Sequence, residues 1–260
     1  MGDVHPRDAD DADDDGEPGD LARFASALRA TSEQPDPLRR PALLSELCVE
    51  LLDLSGASIT LSDGSGNIRA TWWSSDPVAG QLAETQYDLG DGPCHTALLL
   101  NAPVLAADLT QSTDARRWPV FAQQAMELGV RAVFSLPLGS EASVIGTLDL
   151  YSKRAGLLSR RNLRFGLLAA DAITLALLEG HARNQGTQPD ATVGSGPHSW
   201  LESAETDHTE VHQATGMIMY ILDLDAQQAL SRLRAHAFSH DQTLSQAARD
   251  VIHRRVVLDE

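Results

Sequence analysis

Cys94 and His95 stand side by side at the end of Asp91-Gly-Pro-Cys-His95, where residue types capable of covalent or ligand chemistry are adjacent. A cysteine at a helix N-terminus beside an imidazole can have a lowered thiol pKa and act as nucleophile, redox sensor or cofactor ligand. The same residues admit a plainer reading. Gly90, Gly92 and Pro93 make a turn into a short helix, with Cys94 packed inside as a small apolar residue. No P-loop, Ser/His/Asp signature or paired-carboxylate site accompanies them, so no catalytic residues and no enzyme activity are expected. Cys48 and Cys94 form no Cys-x-x-Cys pair and no His-rich cluster shows ligand spacing, so no metal is expected either.

Two cysteines are too few for a disulfide framework and suit a reducing compartment. No apolar run has the length of a membrane span and no signal peptide opens the chain, so the expectation is a cytoplasmic protein without a membrane partner. The net charge of −17 is unevenly placed. Nine acids against Arg7 alone give the first twenty residues a charge of −8 and a solvated, disordered character. From His208 to Val256 five acids meet five arginines, and the same segment holds five of the nine histidines. It is neutral, and becomes positive if the histidines protonate.

The elements that must position Cys94 and His95 follow from periodicity. Leu43, Leu44, Leu47, Cys48, Leu51 and Leu54 give one helix an apolar face. Ala57–Leu61 and Ile68–Trp72 flank the glycine-containing loop 63–67 as an antiparallel hairpin, and Val130–Leu138 and Val144–Tyr151 form a second. Between them lie an irregular segment through Asp88–His95, a short strand at Pro103–Ala106 and a helix at Trp118–Leu128. A long helix capped by Ser159 runs to about Arg183.

The last fifty residues hold three short amphipathic patterns: Val211, Ala214 and Ile218; then Ala229, Leu230, Leu233 and Ala237; then Leu244, Ala247, Ala248 and Val251. Asp225 caps the second, and Thr243 with Gln246 has capping-box spacing at the third. Trp200, Ala204, Asp207, Val211, Ala214, Ile218 and Ile221 alternate by four and three, the spacing of a coiled-coil seam. A homodimer joined at Val211, Ala214 and Ile218 is the expectation, with packing of the same residues inside one monomer as the alternative. Gln213, Thr215, Arg234, His236 and His240 supply donors, Ala214 and Gly216 supply room, and Tyr220 and Phe238 supply stacking faces, the features that reading RNA requires.

Val211-His-Gln-Ala-Thr-Gly-Met-Ile-Met219, the Leu-x-x-Leu-Arg-Ala-His-Ala run ending at Ala237, and Leu244–Ile252 together resemble an ANTAR domain. Membership in that family implies binding of paired stem-loops in nascent mRNA, usually as a dimer, and prevention of transcription termination. It makes Gln213, Ala214, Thr215, Gly216, Arg234, His236, Ala237, His240 and Ala247 candidate RNA contacts. Many family members carry Lys between the Ala and Gly of the first helix, where this chain has Thr215 and so lacks that cation. The order of elements over roughly Leu38–Arg183, with Gly146–Tyr151 as closing strand, resembles a GAF sensor domain. That resemblance implies input from a small molecule or redox cue, with Cys94 and His95 as the candidate sensing pair and no cofactor specified.

The expected fold is therefore an α+β GAF-like sensor domain, an antiparallel sheet flanked by helices, followed by a small all-α three-helix ANTAR-like domain. The boundaries read as an acidic disordered arm over 1–36, the sensor over 37–183, a Gly- and Pro-rich flexible linker over 184–199 and the helical module over 200–256. Such a linker cannot transmit rotation rigidly, so control by dimerisation or by covering the RNA face is expected. A DNA-binding helical regulator is the alternative, weakened by the Asp250 that opposes Arg249 on the third helix.

Overall fold

The computed structural model describes residues 18–34, 36, 39–63, 66–110, 112–140, 143–185 and 208–256. In chain order the elements are α1 (Pro18–Ser32), α2 (Arg40–Leu51), β1 (Gly56–Ser62), β2 (Ile68–Ser74), α3 (Pro77–Leu89), α4 (Pro93–Leu100), β3 (Val104–Ala106), α5 (Ser112–Arg117) and α6 (Pro119–Glu127). They continue as β4 (Ala132–Ser140), β5 (Ser143–Ser152), α7 (Arg160–Gln185), α8 (Thr209–Leu222), α9 (Ala226–Ser239) and α10 (Leu244–Ile252). No helix among the described residues is long and apolar enough to cross a membrane.

The strands form one sheet in the order β2-β1-β5-β4-β3, with every neighbouring pair antiparallel. Side chains alternate across a strand, so the sheet sorts its residues onto two faces. Ala57, Ile59 and Leu61 of β1, Phe134, Leu136 and Leu138 of β4, and Leu148 and Leu150 of β5 point to one side and pack with α1, α2 and α7. Ser58, Thr60, Ser62, Ser135, Thr147 and Asp149 occupy the intervening positions, and these polar residues are buried too. The second face therefore lies under α3 and α4, with Tyr87, Cys94 and His95 among the buried residues they carry.

Two elements depart from the sequence reading. The acidic arm expected over 1–36 is helical from Pro18 onward, and Phe24 drives the difference: it is 1% exposed and stacks on Phe165 of α7 with ring centroids 4.7 Å apart. One buried aromatic pair is enough to dock a helix of low mean apolarity. The segment between the hairpins is regular rather than irregular, because Asp76 caps α3 by accepting from the N–H of Val78 (2.8 Å) and of Ala79 (3.1 Å), with Pro77 opening the helix. Both capping expectations in the last third hold: Asp225 with Gln228, and Thr243 with Gln246, form reciprocal boxes. Residues 186–207, which include most of the expected linker and the seam positions Trp200, Ala204 and Asp207, lie outside the described residues, as do residues 1–17.

Phe24→Ala should lower unfolding free energy by about 3–5 kcal/mol in urea titrations, the usual cost of emptying a buried aromatic site. An effect below about 1 kcal/mol would mean that α1 adds nothing to the core beneath the sheet.

Candidate functional site

The polar face of the sheet is organised around one buried carboxylate. Asp149 accepts from Ser135 Oγ at 2.5 Å, from Thr147 Oγ1 at 2.8 Å and from Thr60 Oγ1 at 3.3 Å. Since the Thr147 hydroxyl gives its proton to Asp149, the Cys94 thiol is left to donate to Thr147 Oγ1 at 3.1 Å, closing a chain from thiol to hydroxyl to carboxylate. Burial pushes the Asp149 carboxyl up from its ordinary range while the hydroxyl donors pull it back. Burial, reinforced by the Asp149 charge, pushes the Cys94 thiol well above its ordinary value. The expected reactive thiol is thus a fully buried, protonated one, and of the two readings of Cys94 the packed residue at a turn describes it.

Gln86 explains the Gly-Pro-Cys spacing. Its Oε1 accepts the Cys94 N–H at 2.7 Å and so serves the otherwise free N-terminus of α4. Gly92, at φ +134°, lets the carboxamide in: a Cβ there would meet Gln86 Oε1 at 2.6 Å. His95 is buried beside this contact. Burial, then the Arg234 charge, holds its imidazole down at about 4 against a hydrogen bond to the Gln86 backbone. Among the described residues no group of three His, Cys, Asp or Glu side chains is placed to hold a metal ion.

Arg234 belongs to α9, and its position gives the site a second half. Its guanidinium donates to the Tyr87 carbonyl oxygen from Nε (3.3 Å) and Nη2 (3.0 Å), at the C-terminal end of α3. Gly90 makes this possible, since a Cβ at that residue would lie 2.6 Å from Arg234 Nη1. One residue on, Asp88 Oδ1 accepts the Leu244 N–H at 3.3 Å and so caps α10 from another domain. Burial pushes the Asp88 carboxyl up, offset by that N–H and by the Arg234 charge. The Tyr87 ring stacks on His208 with centroids 3.9 Å apart, and His208 Nε2 lies 3.6 Å from Glu84 Oε1. Ile68, Tyr87, Cys94 and Leu98 of the sheet domain share one continuous apolar cluster with Val211, Ala214, Leu233 and Leu244 of the helical module. A cleft of about 580 Å³ flanks the contact, with Glu84, Asp88, Glu127, Arg234 and Phe238 in its walls.

The candidate RNA residues other than Arg234 fall into four groups. Gln213 and Gly216 are exposed on α8, and Gly216 faces open space. Thr215 is half-buried, its Oγ1 donating to the Val211 carbonyl at 2.7 Å in its own helix. His236 and His240 form a ring pair 4.1 Å apart at the end of α9. Ala214, Ala237 and Ala247 are core residues with no surface to offer a ligand, because alanines at these positions let three short helices approach closely. The expected dimer seam needs the same correction. Val211, Ala214 and Ile218 are buried inside the three-helix core, so their spacing serves packing within one chain.

Sequence reasoning missed the polar cluster of Thr60, Ser135, Thr147 and Asp149 and the docking residues Tyr87 and Asp88. Strict alternation of Ser58, Thr60 and Ser62 with Ala57, Ile59 and Leu61 was the available signal for the first.

The comparisons with known proteins agree with this division. A model of the GAF domain matches residues 41–178, more than half of the chain, and a model of the ANTAR domain matches residues 200–252. No curated protein matches the chain. Among solved structures, the chain is similar to the GAF domain of a phosphoenolpyruvate-protein phosphotransferase from Coxiella burnetii, at 15% identity over 65% of this chain and 97% of that one, TM-score 0.46. It is similar to a free methionine-R-sulfoxide reductase from Neisseria meningitidis in complex with its substrate, at 16% identity over 72% and 100%, TM-score 0.45. The chromophore-binding domain of a bacteriophytochrome from R. palustris matches at 9% identity over 64% of each chain, TM-score 0.47.

Two measurements check the buried site. In native protein at pH 8 both thiols should resist a disulfide reagent and both should react in denaturant, since burial also pushes Cys48 up to about 12. Fast reaction of one thiol in the native state would restore the sensing role of Cys94. His95 stays neutral in the fold down to about 4 while its unfolded form protonates near 6.5, so stability falls as pH drops through that window, by up to about 3 kcal/mol. Asp149, with its raised pKa, acts in the opposite sense. His95→Asn should therefore flatten the fall in unfolding free energy between these two pH values, and equal slopes would contradict a buried neutral imidazole.

Proposed function

Because the chain belongs to the GAF domain family and carries an ANTAR domain over residues 200–252, we propose that it is a signal-responsive regulator that binds stem-loops in nascent mRNA and promotes antitermination. The GAF domain supplies the sensory input. The observation that carries the regulated form of this reading is the sensor's hold on Arg234. A guanidinium that donates two hydrogen bonds to the Tyr87 carbonyl and sits over Gly90 is withheld from phosphate. RNA engagement through α9 then requires α3 to let go, and any ligand that stabilises the undocked sensor favours RNA binding by its differential affinity for the two states. The covering of the RNA face expected from the linker composition is the control mode this contact supports.

The homodimer common to the family belongs to this proposal with its contact surface moved. With Val211, Ala214 and Ile218 committed to the core, the exposed Leu168, Leu175 and Leu178 on α7 offer the surface for a partner copy.

Gly90→Ala tests the hold directly, since its added methyl must displace the flexible Arg234 head. Full-length Gly90→Ala should bind a tandem stem-loop RNA about tenfold tighter than wild type, the scale of a lost charge-assisted hydrogen bond. Arg234→Ala in the same background should abolish the gain and reduce the salt slope by about one phosphate contact. Unchanged affinity in Gly90→Ala would sink the covering mechanism. Tighter binding to duplex DNA than to any stem-loop would favour the DNA-binding alternative.

A further inference from the structure

The face of the helical module turned away from Arg234 carries an aromatic side chain with almost no contacts. Tyr220 is 92% exposed near the end of α8, and its neighbour Ile221 is 58% exposed. Beside them a hollow of about 350 Å³ is walled by Met217, Tyr220, Ile221, Val251, Arg254 and Val256, and among the described residues none of the GAF domain lines it. That volume falls within the range of small-ligand pockets, about 300–1,000 Å³.

Arg254 supplies the charge. It closes α10 at φ +53°, a left-handed position where glycine is the default and a side chain costs about 1 kcal/mol. The flanking arginines are engaged: Arg249 Nε lies 3.4 Å from Glu210 Oε2, and Arg255 Nη1 lies 3.2 Å from Asp250 Oδ1. Arg254 makes no ion pair among the described residues. An apolar wall, one open aromatic face and an arginine with no ion pair among the described residues thus line a single hollow.

The combination decides between occupants. A second copy seated on this face by two-fold symmetry would meet Arg254 with the same lining, which holds no carboxylate to pair it. A nucleotide satisfies both chemistries, because its base has a π-face for the phenol ring and its phosphate has the charge for the guanidinium. We propose that this hollow is a base pocket in which Tyr220 stacks one unpaired nucleobase of the RNA loop while Arg254 pairs with an adjacent phosphate. The proposal rests on the RNA-binding reading above. It adds that this face stays open while Arg234 is held, so that RNA is first captured here and Arg234 joins after release.

The test uses the full chain and a stem-loop RNA taken from a loop-randomised pool by binding to wild-type protein, with 2-aminopurine placed at each loop position in turn. One position should lose fluorescence on binding to wild type and keep it with Tyr220→Ala. Tyr220→Ala should weaken binding about tenfold, within the span of one stacked base, and Tyr220→Trp should retain it. Arg254→Gln should lower the salt slope by about one phosphate. Wild-type affinity in Tyr220→Ala, with no position quenched in the wild type, overturns the pocket and leaves the RNA-binding reading standing. Tyr220→Ala that shifts sedimentation from dimer to monomer with RNA affinity unchanged also overturns it, by making the hollow an interface between copies. Failure of the wild-type chain to retain any stem-loop removes the RNA reading itself, and the pocket with it.

Discussion

The C-terminal end of α3 is where the molecule is joined. A helix ends in carbonyl oxygens with no partner of their own, carrying the negative end of its dipole. Here the Tyr87 carbonyl is met by a guanidinium from another domain, and the neighbouring Asp88 carboxylate meets the free N–H at the start of α10. Both contacts are charge-assisted and partly buried, a setting in which hydrogen bonds contribute more than their surface equivalents and leave a larger penalty when only one partner departs. The apolar cluster that runs from Ile68 and Leu98 into the helical core adds a nondirectional component beneath them.

That same helix touches the buried polar cluster. Its N-terminus is fixed by Asp76, which also accepts the Tyr151 hydroxyl of β5 at 3.1 Å. One turn from its end Gln86 caps α4 at Cys94, whose thiol leads through Thr147 to Asp149. Gln86 and Tyr87 are consecutive, so the side-chain amide that caps α4 and the backbone carbonyl that holds Arg234 come from adjacent residues of one helix. A rearrangement around Asp149 that shifted the α3 backbone at Gln86 would carry the Tyr87 carbonyl with it. The Arg234 charge, which also disfavours protonation of His95, is a second line of communication between the two halves.

Much of the architecture was legible because it rests on local rules. Apolar spacing marked α2, α7 and the three C-terminal helices, loop glycines marked both hairpins, and the Asp225 and Thr243 caps formed as their spacing required. Helix α3 escaped although Asp76-Pro77 and Gly90 bracket it with good start and stop signals, because two positions of its buried stripe are alanines and a third is the polar Gln86, the residue that caps α4. Helix α1 escaped because a single aromatic docks it, and the weight of the acidic residues beside it hid that one side chain. The spacing of Val211, Ala214 and Ile218 was read correctly as a packing face and assigned to the wrong partner, since periodicity shows that a face is buried and not by what. Docking of Arg234 onto Tyr87 brings together residues far apart in sequence whose pairing no local pattern encodes.

The alanines that line the helical module have a thermodynamic consequence. Ala214, Ala229, Ala237, Ala247 and Ala248 bury little area each, so the heat absorbed on melting this module is small by the roughly 0.7 kcal/mol per residue of ordinary domains. A small enthalpy means a shallow transition. Detached from the sensor, the three helices would loosen gradually over a wide span of temperature, whereas docked they inherit the steep, all-or-none melting of the larger sheet. The contact between α3 and α9 therefore also sets how sharply the helical module responds to heat.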